Sequence, residues 1–243
     1  MGDSVFIVMP AYNEEETIEK TVKQWYPVLR FGNDNSRIVI VNDGSKDRTL
    51  SILEDLAVRY PKLVFLDKPN GGHGPAVLCS YRYAIAQGAD YVFQTDSDGQ
   101  TLPEEFEPFW GYRKSYDMVV GRREVRTDGL FRLIATRGLR LIIRAMFGVF
   151  VQDANIAYRL MRRDALEECV RLIPEHFFLA NVMVSILFAK KRMAVKSIPV
   201  TVLPRQGGVN SVFAPQIIKI GLRAVADFYK MRKSLRKTSF MAH

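Results

Sequence analysis

Cysteine and long apolar runs are scarce in this sequence of 243 residues. Its two cysteines, Cys79 and Cys169, exclude a disulfide framework and fit a reducing cytosol. No run of about 18 apolar residues is present, so no membrane-spanning helix is predicted. The first ten residues, MGDSVFIVMP, form a short strand pattern with an early acidic residue and do not match a secretory signal peptide. These absences lead us to expect a cytoplasmic protein.

The positive charge of the chain is concentrated in two segments. The net charge is +9, whereas the hydrophobic fraction of 48% and the charged fraction of 25% are those of an ordinary globular protein. Residues 121–147 carry a net charge of +5 and residues 216–243 a net charge of +6. The rest of the chain is therefore slightly acidic, and the two basic segments indicate an anionic partner.

Apolar runs that end in polar turns alternate with amphipathic stretches through the first hundred residues. Asn13 is predicted to cap the first helix, and Val58 is predicted to point inward with its apolar neighbours on the second. The alternation predicts an α/β fold with a doubly wound, mostly parallel sheet that binds ligands at the carboxyl ends of its strands. Strands are predicted at residues 4–10, within 37–45, at 63–67, within 91–100, at 118–123 and within 193–200. No linker-like stretch divides the chain, so we predict one domain over residues 1–212, followed by a basic amphipathic tail over 213–243.

The stretch YVFQTDSDGQ, residues 91–100, places two carboxylates at the end of an apolar strand. Alternation along a strand would send Asp96 and Asp98 to the same side, where paired carboxylates are costly unless a positive charge lies between them. Carboxylate, amide and water ligands suit Mg²⁺ or Mn²⁺, and no cysteine or histidine adjoins the stretch to favour zinc. The alternative is a solvated polar turn after a strand. The stretch therefore predicts either a divalent cation that holds phosphate oxygens or a simple turn.

Five motifs in order along the chain resolve that choice. They are VMPAYNEEETI, VNDGSKDRT, YVFQTDSDGQ, VQDANIAYRLMRRDAL and, more loosely, PRQGGVNS, and together they extend from residue 5 to residue 211. With these motifs the sequence resembles a family 2 glycosyltransferase of GT-A fold, close to the dolichyl- or polyprenyl-phosphate sugar synthases. The resemblance implies a metal-dependent transferase that inverts the anomeric carbon of a nucleoside diphosphate sugar by direct displacement.

The resemblance also implies roles for individual residues. The resemblance assigns the binding of the metal and the diphosphate to Asp96, Asp98 and Gln100. The catalytic positions are Asp153 as the candidate base on the acceptor side, Arg159, and Arg122 facing phosphate. It assigns nucleotide binding to the following residues: Pro10, Ala11, Tyr12, Asn13, Glu14, Asp43, Asn70, His73, Asp96, Ser97 and Arg205.

Several of these positions also have a simpler structural explanation. Asp43 can form an Asx-turn with Gly44, His73 can cap the glycine-rich turn of residues 70–77, and Asp153 can cap adjoining structure. The backbone N–H groups of that glycine-rich turn otherwise suit an anion. Two departures from the family pattern bear on the acceptor side and the closing loop: Ala157 stands where the family has glycine, and the spacing from Arg205 to Ser211 is one residue longer than usual.

The arginine-rich stretch of residues 129–150 combines a strongly apolar pattern with regularly spaced charges. Such a helix can lie in a membrane interface, or it can pack on the domain with its arginines in water. In the lipid-phosphate branch of the family this position forms an acceptor loop beside the membrane, and the basic tail is amphipathic as well. We therefore expect peripheral contact with the cytoplasmic face of an anionic membrane.

The preferred reaction is transfer from a UDP- or GDP-sugar to a polyprenyl phosphate. The alternatives are transfer to a hydroxyl of a glycan or lipid-linked oligosaccharide, and a catalytically silent subunit that binds a nucleotide sugar. No nucleic-acid partner is expected.

Overall fold

The chain forms seven strands and eight α-helices in a computed structural model that describes residues 2–123, 130–151, 153–204 and 214–240. The side chains of residues 130–136, 214–220, 222 and 236–240 lie outside the described part. In the described residues no helix combines the length and the apolar character needed to cross a bilayer. The strands are β1 (Val5–Ala11), β2 (Arg37–Asn42), β3 (Leu63–Asp67), β4 (Tyr91–Gln94), β5 (Met118–Arg123), β6 (Arg159–Arg162) and β7 (Val195–Val200). The helices are α1 (Ile18–Trp25), α2 (Thr49–Arg59), α3 (His73–Ala86), α4 (Phe106–Tyr112), α5 (Leu130–Phe147), α6 (Arg163–Val170), α7 (Ala180–Lys190) and α8 (Ala214–Phe240).

All seven strands join one sheet in the order β3-β2-β1-β4-β6-β5-β7. Every pairing is parallel except those of β6, which runs antiparallel to both β4 and β5. The predicted mostly parallel α/β sheet is confirmed, and the antiparallel β6 is an addition that the alternating pattern did not indicate. Because β6 runs backwards, the loop that precedes it lies at the same sheet edge as the turn that follows β4.

The sheet is covered on both faces. Every residue of β1 is buried, as its unbroken apolar run requires. One apolar cluster packs α1, α4 and the aromatic rings around Phe93 against one face, and the other packs α3, α6 and α7 against the opposite face. Helices α5 and α8 extend the second cluster, where the rings of Phe147 and Phe228 meet edge-on at 5.7 Å. The two basic segments are thus attached to the core by apolar contacts.

Two local predictions are wrong. Asn13 does not cap the first helix, since α1 begins at Ile18 and Asn13 has a positive φ of 53°. Its side-chain oxygen accepts from the backbone N–H of Lys46 at 2.8 Å, so it joins two loops instead. Val58 is 86% exposed, because the buried stripe of α2 consists of Thr49, Leu53 and Leu56.

Candidate active site

The acidic turn after β4 lies at the carboxyl edge of the sheet and is fixed by its central serine. Ser97 is buried; its Oγ donates to the carbonyl of Pro10 at 2.8 Å, and its own carbonyl accepts from Thr21 Oγ1 at 3.0 Å. Strand β4 ends at Gln94, so the expected strand alternation does not extend to Asp96 and Asp98. Both carboxylates are nevertheless partly exposed on either side of the buried serine. The turn therefore presents two carboxylates from a rigid backbone.

Gln100 connects this turn to the segment that follows β7. Its side-chain Nε2 donates to the carbonyl of Leu203 at 2.9 Å, and its backbone N–H donates to Asp98 Oδ1 at 3.2 Å. A further bridge pairs Thr101 with Val202. Residues 205–213, including Arg205, lie outside the described part of the chain, but the segment leading to them is attached directly beside the acidic turn.

Asp43, at the end of β2, organises the glycine-rich turn before α3. Its Oδ1 accepts from the backbone N–H of Gly71 at 2.9 Å and from Lys68 Nζ, and its Oδ2 accepts from the N–H of Gly72 at 2.7 Å. Two of the N–H groups that we expected to bind a ligand anion are therefore occupied by Asp43. The expected Asx-turn with Gly44 is replaced by these longer-range bonds, which hold the turn in place.

The remaining nucleotide-side residues lie at the end of β1, in the loop that follows it, and in the loop after β3. Tyr12 is 42% exposed, so its ring is available for stacking, and Asn13 and Asn70 are also exposed. Glu14 is buried: its backbone N–H donates to Thr49 Oγ1 at 2.8 Å, and its Oε2 accepts from Thr17 Oγ1 at 2.7 Å. Pro10 and Ala11 are buried strand residues. The loops thus present one exposed ring beside a firmly held carboxylate.

His73 opens α3 and faces the acidic turn. Its Nε2 lies 3.3 Å from Asp96 Oδ1, and its side chain is about half exposed. Desolvation lowers the pKa of His73, but the hydrogen bond and the charge of Asp96 outweigh it, so the net shift is upward. This contact with a carboxylate of the acidic turn is neither the nucleotide contact nor the cap of the glycine-rich turn that the sequence suggested for His73.

Gly74 lets the start of α3 approach the segment before α7. A Cβ at this position would lie 2.1 Å from the carbonyl oxygen of Phe178 and 2.4 Å from that of Phe177. We expect Gly74→Ala to lower the free energy of unfolding by at least about 2 kcal/mol, because backbone must move to admit the methyl group. Urea denaturation measures this loss. In Gly111→Ala, where a Cβ meets no atom within 4 Å, stability should be unchanged or higher; equal losses in both variants would contradict the close packing at Gly74.

On the acceptor side, Asp153 and Arg122 line one cavity of about 140 Å³. The cavity lies between β5, β7 and α7, and Ser185 contributes a hydroxyl to its wall. Arg122 is exposed at the end of β5, and Asp153 lies in the loop before β6. The structure therefore brings together two of the three catalytic positions that the resemblance implied.

Arg159, the third of these positions, is completely buried at the start of β6. Its guanidinium donates to the carbonyls of Ile156 (Nε, 3.0 Å), Asn181 (Nη1, 3.0 Å) and Ala154 (Nη2, 3.3 Å), with further bonds to Ser185 Oγ and Ile156. Burial lowers the pKa of Arg159, opposed by the charges of Asp153 and Asp96. All five donors are directed at the protein, so Arg159 holds the Asp153 loop against α7 and does not itself reach a substrate.

The acidic turn suits a cation that is also held by its substrate. No group of three or more His, Cys, Asp or Glu side chains that could hold a metal occurs within the described ranges. Mg²⁺ is commonly held by one or two carboxylates together with substrate phosphates and water, and Asp96 and Asp98 supply two such carboxylates. The donor set fits Mg²⁺ or Mn²⁺, and the amide nitrogen of Gln100 is already used on Leu203.

Several residues of this region were not identified from the sequence. Lys68 and Thr49 fix the nucleotide-side loops, Thr21 fixes the acidic turn, and Asn181 and Ser185 on α7 fix the acceptor side. Each acts through a partner at least 22 residues away in the chain. No local pattern marks such residues, although the polar Asn181 and Ser185 interrupt an otherwise apolar helix.

Curated relatives of this chain are named for sugar transfer to lipid phosphates. Over 196 residues it is 29% identical to an undecaprenyl-phosphate 4-deoxy-4-formamido-L-arabinose transferase of Pectobacterium atrosepticum, covering 79% of this chain but only 58% of that protein. It is 24% identical to a polyprenol monophosphomannose synthase of Mycolicibacterium smegmatis, over 87% of this chain and 82% of that one. The chain thus spans little more than half the length of the first of these relatives.

The same fold occurs in solved structures of lower sequence identity. One is glucosyl-3-phosphoglycerate synthase from Mycobacterium tuberculosis in complex with Mn²⁺, UDP-glucose and glycerol 3-phosphate, with a TM-score of 0.65, 18% identity, and coverage of 95% of this chain and 80% of that chain. At this identity the likeness establishes the GT-A fold alone. The family model for glycosyl transferase family 2 matches residues 6–170, more than half of the sequence. The chain therefore belongs to glycosyl transferase family 2, and the resemblance predicted from its motifs is confirmed.

Proposed function

We propose that the protein transfers a sugar from a nucleoside diphosphate sugar to a polyprenyl phosphate, with Mg²⁺ or Mn²⁺ as cofactor. The observation that carries this proposal is the shared sheet edge, where the acidic turn after β4 lies beside the Asp153 loop before β6. The names of the curated relatives support the acceptor class. The Mn²⁺ and UDP-glucose in the structural relative support the donor class and the cation.

In this proposal the two halves of the site have separate tasks. The loops after β1 and β2 hold the nucleotide, with Tyr12 stacking on the base and Asp43 keeping the glycine-rich turn in place. Asp96 and Asp98 would hold the cation, which neutralises charge on the departing diphosphate. The exposed Arg122 would contact phosphate by a charge-assisted hydrogen bond. Arg205 is retained as a diphosphate contact on the resemblance alone.

Asp153 distinguishes the proposed acceptor from a hydroxyl acceptor. A phosphate monoester has a second pKa near ~6, so at neutral pH it is already an anionic nucleophile and needs no base. A sugar hydroxyl needs a general base, which is typically worth about 10²–10⁴-fold in rate. With a polyprenyl phosphate, we therefore expect Asp153→Asn to reduce turnover only modestly, through lost positioning. Steady-state transfer with UDP- and GDP-sugars, assayed against a polyprenyl phosphate and against a glycan, measures the difference.

The same assay can contradict the proposal. Near-total loss in Asp153→Asn, together with turnover of a glycan and not of a polyprenyl phosphate, would favour transfer to a hydroxyl. Binding of a nucleotide sugar without transfer or donor hydrolysis, even with Mn²⁺ added, would favour the silent binding subunit.

We further propose that α5 and α8 rest on the cytoplasmic face of an anionic membrane. On α5 the exposed residues include Arg137, Leu141 and Arg144, and on α8 they include Tyr229 and Lys230. Basic residues near an anionic surface contribute about 1 kcal/mol each, and apolar side chains can enter the interface. The division into a catalytic unit of residues 1–212 and a basic tail remains part of this proposal.

Charge reversal tests the membrane contact without opening the core. Deleting α8 would expose the apolar cluster that buries Phe228, so we choose the exposed pair Lys230→Glu and Lys233→Glu. We expect this double variant to co-sediment less with anionic vesicles, and wild-type binding to fall as salt rises. The matched control reverses Lys114 and Lys190, which are exposed elsewhere. Equal effects of the two double variants, or equal binding to neutral vesicles, would exclude this surface.

A further inference from the structure

The side chain of Asn181 is buried without a hydrogen-bond partner. It is 2% exposed, and neither its Oδ1 nor its Nδ2 has a partner among the residues that the structure describes. A buried polar atom left unpaired costs about 1–3 kcal/mol, and most such atoms in folded proteins are paired. An amide with both ends unpaired therefore points to a partner from outside the protein.

Asn181 lies on the face of α7 that borders the acceptor-side cavity. Residues 181, 185 and 189 follow each other at a spacing of four and so share one helix face. Ser185 and Ala189 line the cavity together with Asp153 and Arg122. The Asn181 backbone carbonyl is fixed by Arg159 Nη1 at 3.0 Å and Ser185 Oγ at 2.9 Å. The backbone at Asn181 is therefore held by the same arginine that bonds the Asp153 loop.

The same position is also close to the donor side. The carbonyls of Phe177 and Phe178, just before α7, lie against Gly74 at the start of α3. The neighbouring His73 contacts Asp96 of the acidic turn at 3.3 Å. Arg159, which donates to the Asn181 carbonyl at 3.0 Å, also donates to the carbonyl of Ala154 and pairs across the sheet with Gln94, the last residue of β4. Asn181 is thus connected through Arg159 both to the strand that leads into the acidic turn and to the loop that carries Asp153.

We propose that Asn181 is a specificity-determining residue that recognises a hydroxyl group of the transferred sugar. The free amide offers one N–H donor group and one acceptor oxygen, which match a hydroxyl that accepts one bond and donates another. A phosphate would satisfy the N–H group but would leave Oδ1 facing a negative oxygen. The assignment rests on the proposed function, because it places the sugar between the diphosphate and the acceptor.

Two variants separate recognition from folding. Asn181→Leu replaces the amide by an apolar group of similar size, and Asn181→Asp keeps the shape but removes the N–H donors. Melting temperatures without ligand report on folding. Dissociation constants with Mn²⁺ for the free nucleoside diphosphate and for its sugar conjugate report on the sugar contact, with UDP and GDP both tried on the wild type. Ile186→Val, on the opposite side of α7, is the control for a mild packing change.

We expect Asn181→Leu to keep or raise the melting temperature, because an unpaired buried polar group is removed. Affinity for the sugar conjugate should fall about tenfold in both Asn181 variants, while affinity for the free diphosphate stays within about twofold of wild type. Ile186→Val should change neither affinity.

Three results would overturn the assignment. A lower melting temperature in both Asn181 variants with an unchanged ratio of the two affinities would show a structural role. Equal loss for the diphosphate and its sugar conjugate would show a general distortion of the site. A change confined to the KM of the acceptor would move Asn181 to the acceptor. If the wild type binds neither nucleoside diphosphate nor sugar conjugate, the proposed function itself fails. That result comes from the wild type alone and is therefore distinguishable from a failure of the Asn181 assignment.

Discussion

Replacing Asp98 with asparagine is expected to reduce sugar transfer by at least about a hundredfold while leaving the fold intact. Asp98 Oδ1 accepts from the backbone N–H of Gln100, a bond that an asparagine oxygen can also accept, so the turn should keep its shape. In the proposed mechanism, the lost negative charge is needed to hold a cation and a diphosphate. Initial rates at saturating Mn²⁺ and far-UV circular dichroism measure the two effects.

The control for this prediction is Asp55→Asn, the same chemical change at an exposed position on α2. It should leave transfer within about twofold of wild type, since surface substitutions away from special features have small effects. Undiminished turnover of Asp98→Asn in excess Mn²⁺ would show that this carboxylate is not part of a cation site.

The largest loss of stability is expected for Arg159→Met. The methionine fills part of the space but donates no hydrogen bond, so the Ile156 carbonyl loses both of its arginine donors. Bonds from a charged donor contribute about 1.5–3 kcal/mol each, and the free energy of unfolding should fall by at least about 3 kcal/mol. Chemical denaturation monitored by fluorescence measures this fall.

Arg171→Met is the matched control. Arg171 is an exposed arginine whose partner is Glu167 one turn earlier on the helix, and such surface pairs contribute at most about 1 kcal/mol. If the two arginine variants lose equal stability, the network around Arg159 does not hold the Asp153 loop.

The parallel half of the sheet could be predicted because its signals are local. An apolar run followed by a polar turn marks the end of β1, β2 and β4 in consecutive residues, and the acidic turn could be identified within ten residues. Strand β6 has only four residues, and its arginine, Arg159, is buried although sequence patterns place arginine at the surface. Its antiparallel pairing depends on partners far away in the chain, which periodicity does not report.

The motifs indicated residues that cluster at one sheet edge, but not what each of these residues contacts. Asp96, Asp98 and Asp153 lie near one sheet edge as the motifs indicate, but Asp43 and Arg159 serve mainly other parts of the protein. Asp43 bonds to backbone 28 and 29 residues later, and Arg159 bonds to α7 up to 26 residues later. The resemblance identified these residues, whereas only the folded chain shows which of their oxygen and nitrogen atoms are already engaged.

The reversed direction of β6 has a consequence for how this scaffold can diversify. The donor half is made of successive parallel units whose loops follow their strands, whereas the Asp153 loop enters the site ahead of an antiparallel strand. That loop is anchored by the pairing of Gln94 with Arg159 across the sheet and not by a helix shared with the donor half. Under the proposed function, grafting the segment from residue 150 to residue 158 between relatives is therefore expected to exchange the choice of acceptor while the nucleotide preference is inherited unchanged.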